Sequence, residues 1–256
     1  MDRAEKITKL VIEAILPARL EYRVQQSNGK YDFDLEYFDG RLAALEATAS
    51  IDRAQLEFLA AIKRQKKGAP GFPAEKCRSS WMISARSSAR ATVLRQKLDI
   101  YLSVLELNGI SRFSLVDLDI PSVSAICNDL EVEHGFVVLT STPPAIYVLP
   151  AGAGAVIDPA NAIEAGWRES WKDDNRKKLR ASHAAERHLV VYIDLLHDSA
   201  WTAMNWAEPP PQIPDLPPEI THIWLLAEGE TPGEVVIWRA ETVRSWQRQK
   251  HIIASP

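Results

Sequence analysis

The residues with the clearest chemical potential are acids on two neighbouring strand-like segments. In YDFDLEYFDGRLAALEATAS (31–50), Asp32 and Asp34 stand two apart, Glu46 and Thr48 stand two apart, and Asp39-Gly40 separates the segments. Alternation with period 2 puts each of those pairs on one face of its strand. A tight Asp-Gly turn makes the strands antiparallel neighbours. Asp32 and Glu46 can then converge on one divalent cation, lowering the pKa of a bound water and clamping a phosphate oxygen. The same spacing also suits an ordinary hairpin whose acids decorate a sheet edge, so both readings stand.

Other reactive types are less well placed. His183 and His188 are five apart, a poor spacing for one helix face, and His197 lies between Asp194 and Asp198 as a ligand, base or capping residue. Gly-Ala-Gly at 152–154 has no third glycine for a dinucleotide loop, and Ser79-Ser80 lacks the G-x-S-x-G elbow. Cys77 sits in a basic stretch but has no identifiable histidine partner, and with Cys127 it forms no metal motif. Seven of the eight tryptophans follow residue 166; core packing is the expected role for most, with Trp201 and Trp206 in a loop where they can stack on a base or sugar.

Charge is uneven. The net charge is −4, yet residues 53–97 carry eleven Lys or Arg against two acids, about +9, leaving about −13 elsewhere. Such a block attracts phosphates locally. Lys63, Arg64, Lys66, Lys67, Arg86 and Arg90 are the candidate nucleic-acid contacts, the alternative being a solvated helix face.

Elements must position these groups. Ile7, Leu10, Val11, Ala14 and Ile15 predict a helix stopped before Pro17, and a strand follows, ending at the turn Ser27-Asn28-Gly29. Strands are expected over 31–38 and 41–48, then a helix capped by Ser50 or Asp52 with Ala54, Phe58, Leu59 and Ile62 inward. SSWMISARS reads as a strand, 88–108 as a helix, and RFSLVDL, GFVVLTST and AIYVLP as strands around the helical PSVSAICNDLEV. A helix near 165–185 precedes ERHLVVYIDLL, whose continuous apolar run suits a strand buried on both faces. Beyond the rigid EPPPQIPDLPPE come strands at ITHIWLLA and EVVIWRA and a short helix holding Trp246. This alternation predicts an α/β (α+β) fold with a central mixed sheet flanked by helices.

The order helix, strand, strand with Asp32, strand with Glu46, basic helix resembles the core of the PD-(D/E)XK, or restriction-endonuclease-like, nucleases. The chain also resembles uncharacterised bacterial proteins that pair a DF…ALEVT segment with a later SW strand and an LE-x-x-G helix end, here DFDLEYFDGRLAALEAT, SSWMISA and LELNG. The family resemblance implies Mg²⁺ or Mn²⁺ held by Asp32 and Glu46, an accessory carboxylate at Glu13 or, less favoured, Glu5, and in-line attack of water on phosphorus. Thr48 falls where the family has its lysine and supplies no positive charge. Lys63 or Arg64, roughly 15 Å away along the next helix, and Lys178 in DDNRKKLR are the available cations.

The expected division is a nuclease-like αβββα core over 1–110 and a C-terminal α/β portion over 111–256 with a β-rich extension. No run of some 18 apolar residues exists, and MDRAEKITKLVIEAIL lacks a signal cleavage site, so no membrane partner is expected and a reduced cytoplasm is the expected compartment. The competing expectation is a catalytically inactive interaction or regulatory protein of a bacterial defence system, acting as a homodimer or with a protein partner.

Overall fold

The structure is a computed structural model, described here for residues 1–23, 30–69, 71–138, 143–151, 157–212 and 214–253. Helix α1 (Arg3–Ile15) opens with a capping box: the Asp2 side chain accepts from Glu5 N–H at 2.9 Å and Glu5 accepts from Asp2 N–H at 2.6 Å. Ala4, Ile7, Val11 and Ile12 form its buried face. Strands β1 (Ala18–Tyr22), β2 (Phe33–Tyr37) and β3 (Leu42–Ser50) follow as an antiparallel meander. Gly40, at φ +86°, occupies a left-handed position in the β2–β3 turn that glycine tolerates without strain. The expected turn at Ser27–Gly29 and the Gly-Ala-Gly run at 152–154 lie outside the described residues.

Next comes a compact unit over Asp52–Gly154. Asp52 caps α2 (Arg53–Lys66), accepting from Ala54 N–H at 2.9 Å. Then follow β4 (Phe72–Pro73), β5 (Ser80–Ala85), α3 (Ala91–Leu107), β6 (Arg112–Ser114), α4 (Pro121–Leu130), β7 (Val132–Val138) and β8 (Ala145–Pro150). The sheet order is β4-β8-β5-β7-β6. Trp81, Ile83, Ile146 and Val148 of the sheet pack with Phe58, Leu94, Leu98, Leu102 and Ile126 of the helices in one core.

The remainder rejoins the first three strands. Helices α5 (Pro159–Ser170) and α6 (Asp173–Ala181) lead to β9 (Glu186–Ile193), α7 (Asp198–Trp206), β10 (His222–Glu228), β11 (Glu234–Glu241) and β12 (Arg244–Ile252). The seven-stranded sheet runs β1-β2-β3-β9-β10-β11-β12, with β9 parallel to both β3 and β10. One face, with Leu45, Val190, Trp224 and Ile237, packs on α1; the other, with Ala44, Leu189, Val191, Leu225 and Trp238, packs on α5, α6 and α7. Burial of β9 on both faces matches its unbroken apolar run. The fold is thus mixed α/β, with two sheets and flanking helices.

Three features differ from the sequence reading. The helix expected over 165–185 is two, because Asp173 and Asp174 favour a fresh N-terminus after the corner at Trp171-Lys172. The helix expected around Trp246 is strand β12, drawn into register with β11, with Trp246 buried. The compact units are Met1–Ile51 with Ala155–Pro256, and Asp52–Gly154, rather than halves divided at residue 110. Parallel pairing of β3 with β9 joins the sequence-distant segments and leaves the middle as its own unit.

Candidate active site

Asp32 lies just before β2, one step beyond the Phe33–Leu45 pair, and its backbone N–H donates to Leu45 O at 3.1 Å. That register places it across from Glu46. Asp32 Oδ2 accepts from Ala47 N–H at 2.9 Å, which anchors one oxygen and leaves the carboxyl against that of Glu46. Both residues are 2% exposed. Glu46 and Thr48 point toward α5 and α6, the same direction as Ala44.

Lys178, on α6, closes this group. Its Nζ lies 2.8 Å from Glu46 Oε1 and 3.1 Å from Asp174 Oδ2. The other Glu46 oxygen, Oε2, is buried and meets no donor group. The Glu46 carboxyl lies against that of Asp32, and a hydrogen bond between the two forms only when one of them carries a proton. Burial, then the charge of Asp32, push the Glu46 carboxyl up to about 8 despite Lys178. Asp32 is raised too, by burial first, against the lowering effect of Ala47 N–H. Burial alone would lower Lys178, but Glu46 and Asp174 outweigh it and hold the ammonium well protonated. Two buried carboxyls and one ammonium therefore retain about one proton near neutrality.

The other expected residues are dispersed. Glu13 is engaged elsewhere, accepting from Lys9 Nζ and Leu20 N–H, each at 3.0 Å. The α1 acid that acts on Asp32 is Glu5, whose negative charge raises the Asp32 carboxyl and whose Oε1 accepts from Tyr22 OH at 3.4 Å. Thr48 Oγ1 donates to Glu169 Oε2 at 3.3 Å, and Lys172 Nζ lies 2.6 Å from Glu169 Oε1. Asp34 takes Arg23 Nε at 2.6 Å and Tyr31 OH at 2.7 Å, so it serves the β1–β2 edge. Glu169, on α5 and 3% exposed, escaped the sequence reading because helical acids near tryptophans give no signal of burial.

In the Asp52–Gly154 unit, Lys63, Arg64 and Lys66 close α2 and Lys67 caps its C-terminus, favourable places for cations. Arg64 and Arg90 line a shared groove between α2 and the start of α3. Arg86 donates to Glu133 at 3.0 Å. Within residues 52–154 twelve Lys or Arg face ten Asp or Glu, so the positive block is largely offset by the acids that fold beside it.

Among the described residues one group of three could hold a metal: Glu186, His188 and His222, with candidate ligand atoms within 4.8 Å of one another. Its hydrogen bonding is already rich. Trp224 Nε1–H donates to His188 Nδ1 at 3.2 Å, leaving the His188 proton on Nε2, beside Tyr37 OH at 3.4 Å. Tyr37 OH donates to Glu186 at 2.9 Å, and Arg41 pairs with the same carboxylate. The two imidazoles stack at 4.2 Å with planes 9° apart, so their lone pairs lie in separate, nearly parallel planes. A metal on His188 Nε2 would move the proton to Nδ1 and break the Trp224 bond. Burial lowers both histidines, His222 to about 4, while the hydrogen bond from His188 holds Glu186 at about 2.

The remaining candidates fall into place. Cys77 and Cys127 are free and buried, and burial raises both thiols, which disfavours a thiolate. His197 is the N-cap residue of α7, with Nδ1 at 3.0 Å from Ser50 Oγ. Trp81, Trp224, Trp238 and Trp246 are buried and Trp201 packs against the core, the role expected for most tryptophans, whereas Trp167 and Trp171 are 51% and 41% exposed. Trp201 and Trp206 lie in α7, not in a loop; the Trp201 indole donates to Glu228 O at 2.8 Å. Among the described residues no helix is long and apolar enough to cross a membrane. No family model, curated protein or solved structure matches the chain.

Proposed function

We propose that the protein is a metal-dependent phosphodiesterase acting on nucleic acid, with its centre at Asp32, Glu46 and Lys178. One observation carries this reading: Lys178 Nζ stands 2.8 Å from Glu46 beside the Asp32 carboxyl, while the buried Glu46 Oε2 has no donor. Buried carboxylates without matching donors are rare in folded proteins, because an unpaired buried charge is costly. A hard divalent cation fits this oxygen-only donor set. When bound, such an ion lowers the pKa of a coordinated water and neutralises charge on a phosphate.

The chain's own residues divide the remaining work. Asp32, with one oxygen fixed by Ala47 N–H, and Glu46 beside it supply the carboxylates. Lys178 provides the positive charge that Thr48 cannot, poised to orient a nucleophilic water or meet a phosphate oxygen. Asp174 holds the ammonium in place from the far side. Glu5 adds negative field at the same end of the sheet and is the accessory acid that the position of Asp32 favours over Glu13. The meander bearing an acid on each of its second and third strands, covered by α1 on one face, also agrees with the PD-(D/E)XK resemblance.

The test is cleavage of labelled single- and double-stranded DNA and RNA in Mg²⁺ or Mn²⁺, with Asp32→Asn and Lys178→Met alongside the parent. Metal-dependent cleavage lost in both variants is expected. Equal cutting by Asp32→Asn, or none by the parent on any of the four substrates, would sink the catalytic reading and return the chain to the class of interaction proteins.

A further inference from the structure

The sheet of the Asp52–Gly154 unit has helices on one face. Residues of β5, β6, β7 and β8 that point toward them, such as Ile83, Phe113 and Val148, are core; a Cβ added at Gly135 would meet Ile83 Cδ1 at 2.6 Å and the Phe113 ring at 2.7 Å. The alternate residues point the other way and line up in register. Arg112 pairs with Phe136, Phe136 with Met82, and Met82 with Tyr147, one row crossing four strands. In the next row His134 and Leu149 flank Ser84. Phe136 is 44% and Leu149 49% exposed, large values for apolar residues on inner strands.

The chemistry of this face narrows its occupant. Glu133, the one acid in the five strands, sits at the irregular step opposite Ser84 and Ala85 and is held by Arg86 at 3.0 Å. The row thus combines two aromatic rings, a thioether and a guanidinium with no carboxylate among them. Phe136 and Tyr147 are two strand steps apart, roughly 10 Å, too far to sandwich one ring but suited to two separate ones. Bases inside a duplex repeat at about 3.4 Å and hide their faces from such a surface. Unpaired bases offer flat rings, and the backbone that carries them bears the charge that Arg112, at the Phe136 end of the row, complements.

We propose that this sheet face, on which Arg112 and Phe136 are exposed and Tyr147 is part-exposed, binds single-stranded nucleic acid, one base lying on Phe136 and another on Tyr147, with Arg112, beyond Phe136 at the end of the row, at a flanking phosphate. Stacking dominates and electrostatics is secondary, since a single arginine serves the row. The inference deepens the nuclease reading by naming the form of its substrate, but its test requires no cleavage.

Binding of the protein to a fluorescein-labelled dT12 strand, and to the same strand in a dT12·dA12 duplex, is measured by anisotropy in EDTA. The single strand is expected to bind at least tenfold tighter than the duplex. Phe136→Ala and Tyr147→Ala should each weaken it roughly tenfold, Phe136→Trp should keep it, and Arg112→Ala should flatten the salt slope by about 0.7. Circular dichroism checks that each variant folds, and Phe136→Trp with Tyr147→Ala carry the test if Phe136→Ala does not. Equal affinity for duplex, no binding by the parent at low salt, or folded ring variants that bind unchanged would overturn the proposal. A change in self-association without a change in DNA binding would also overturn it, and would reassign the face to a second protein chain. Metal-dependent cutting without single-strand binding removes this inference alone, whereas binding without cutting removes only the catalytic reading.

Discussion

Replacing Glu46 with Gln tests the charge balance of the site without using activity. In the metal-free protein Glu46 is raised from 4.5 to about 8. The folded state therefore holds a proton that the unfolded chain releases between those values. Because the native state binds more protons, the contribution of this group to stability falls as pH rises through the window. Each unit corresponds to about 1.4 kcal/mol, so moving from pH 5.5 to 7.0 removes on the order of 2 kcal/mol. For a chain of this size that is roughly 4–8 °C in melting temperature.

The buried histidines act in the opposite sense. His222, lowered to about 4, contributes stability above its unfolded value of 6.5 that is lost as pH falls toward 4. The quantity to read is thus the difference between parent and Glu46→Gln at each pH, followed by thermal denaturation in EDTA. Glutamine can accept from Lys178 and donate to Asp32 at every pH, so the variant should gain on the parent by about 4–8 °C over that interval. Added Mn²⁺ should recover much of the loss in the parent, releasing a proton on binding, and should leave the variant unmoved. A parent whose melting temperature tracks the variant from pH 5.5 to 8 would refute the shared-proton account of the pair.

Further outcomes follow from other contacts. Lys178→Met leaves two carboxyls without their ammonium; the variant should lose cleavage entirely and, in EDTA, lose stability more steeply than the parent above pH 7, measured by denaturant titration at pH 6 and 8. Glu219→Gln weakens the buried carboxylate bonded by Arg176 and Arg180, which tethers the proline-rich connector to α6. A loss of about 1–3 kcal/mol is expected in urea at pH 7, shrinking as pH falls from 4.5 toward the depressed value of about 2. Gly166→Ala places a methyl 2.6 Å from Leu225 Cδ2 where α5 crosses β10, and should destabilise by about 1–3 kcal/mol in the same assay.

How far the sequence foretold these features depends on the range of the interaction. Local signals held: the Asp-Gly turn, the Asp52 cap and the helix expected over 88–108 all sit within a few residues of their causes. Period-2 reasoning also placed Asp32 and Glu46 on one face, because β2 and β3 are adjacent in the chain and a short turn fixes their register. Register across the sheet was not legible. His188 meets His222 only because β9 and β10 run parallel across a connection of nearly thirty residues, and neither histidine carries a local mark of that pairing. The strand at Arg244–Ile252 was missed for a related reason. RSWQRQKHI has little β-propensity of its own, and β11 supplies the hydrogen bonds that make it a strand.

The threonine at position 48 explains why the ammonium beside Glu46 comes from outside the meander. A lysine there would project beside Glu46 toward α5, but Thr48 instead meets Glu169, which Lys172 already neutralises. A long cation at 48 would have to share that space with Lys172. Lys178 avoids the conflict by entering from α6, one helix later, where Asp174 at i−4 meets its ammonium. Its charge thus comes from a segment some 130 residues from Glu46 in sequence, brought beside it through the pairing of β3 with β9. The acids are set by a local hairpin and the cation by tertiary assembly, so under the proposed function folding of α6 onto the sheet must precede cleavage.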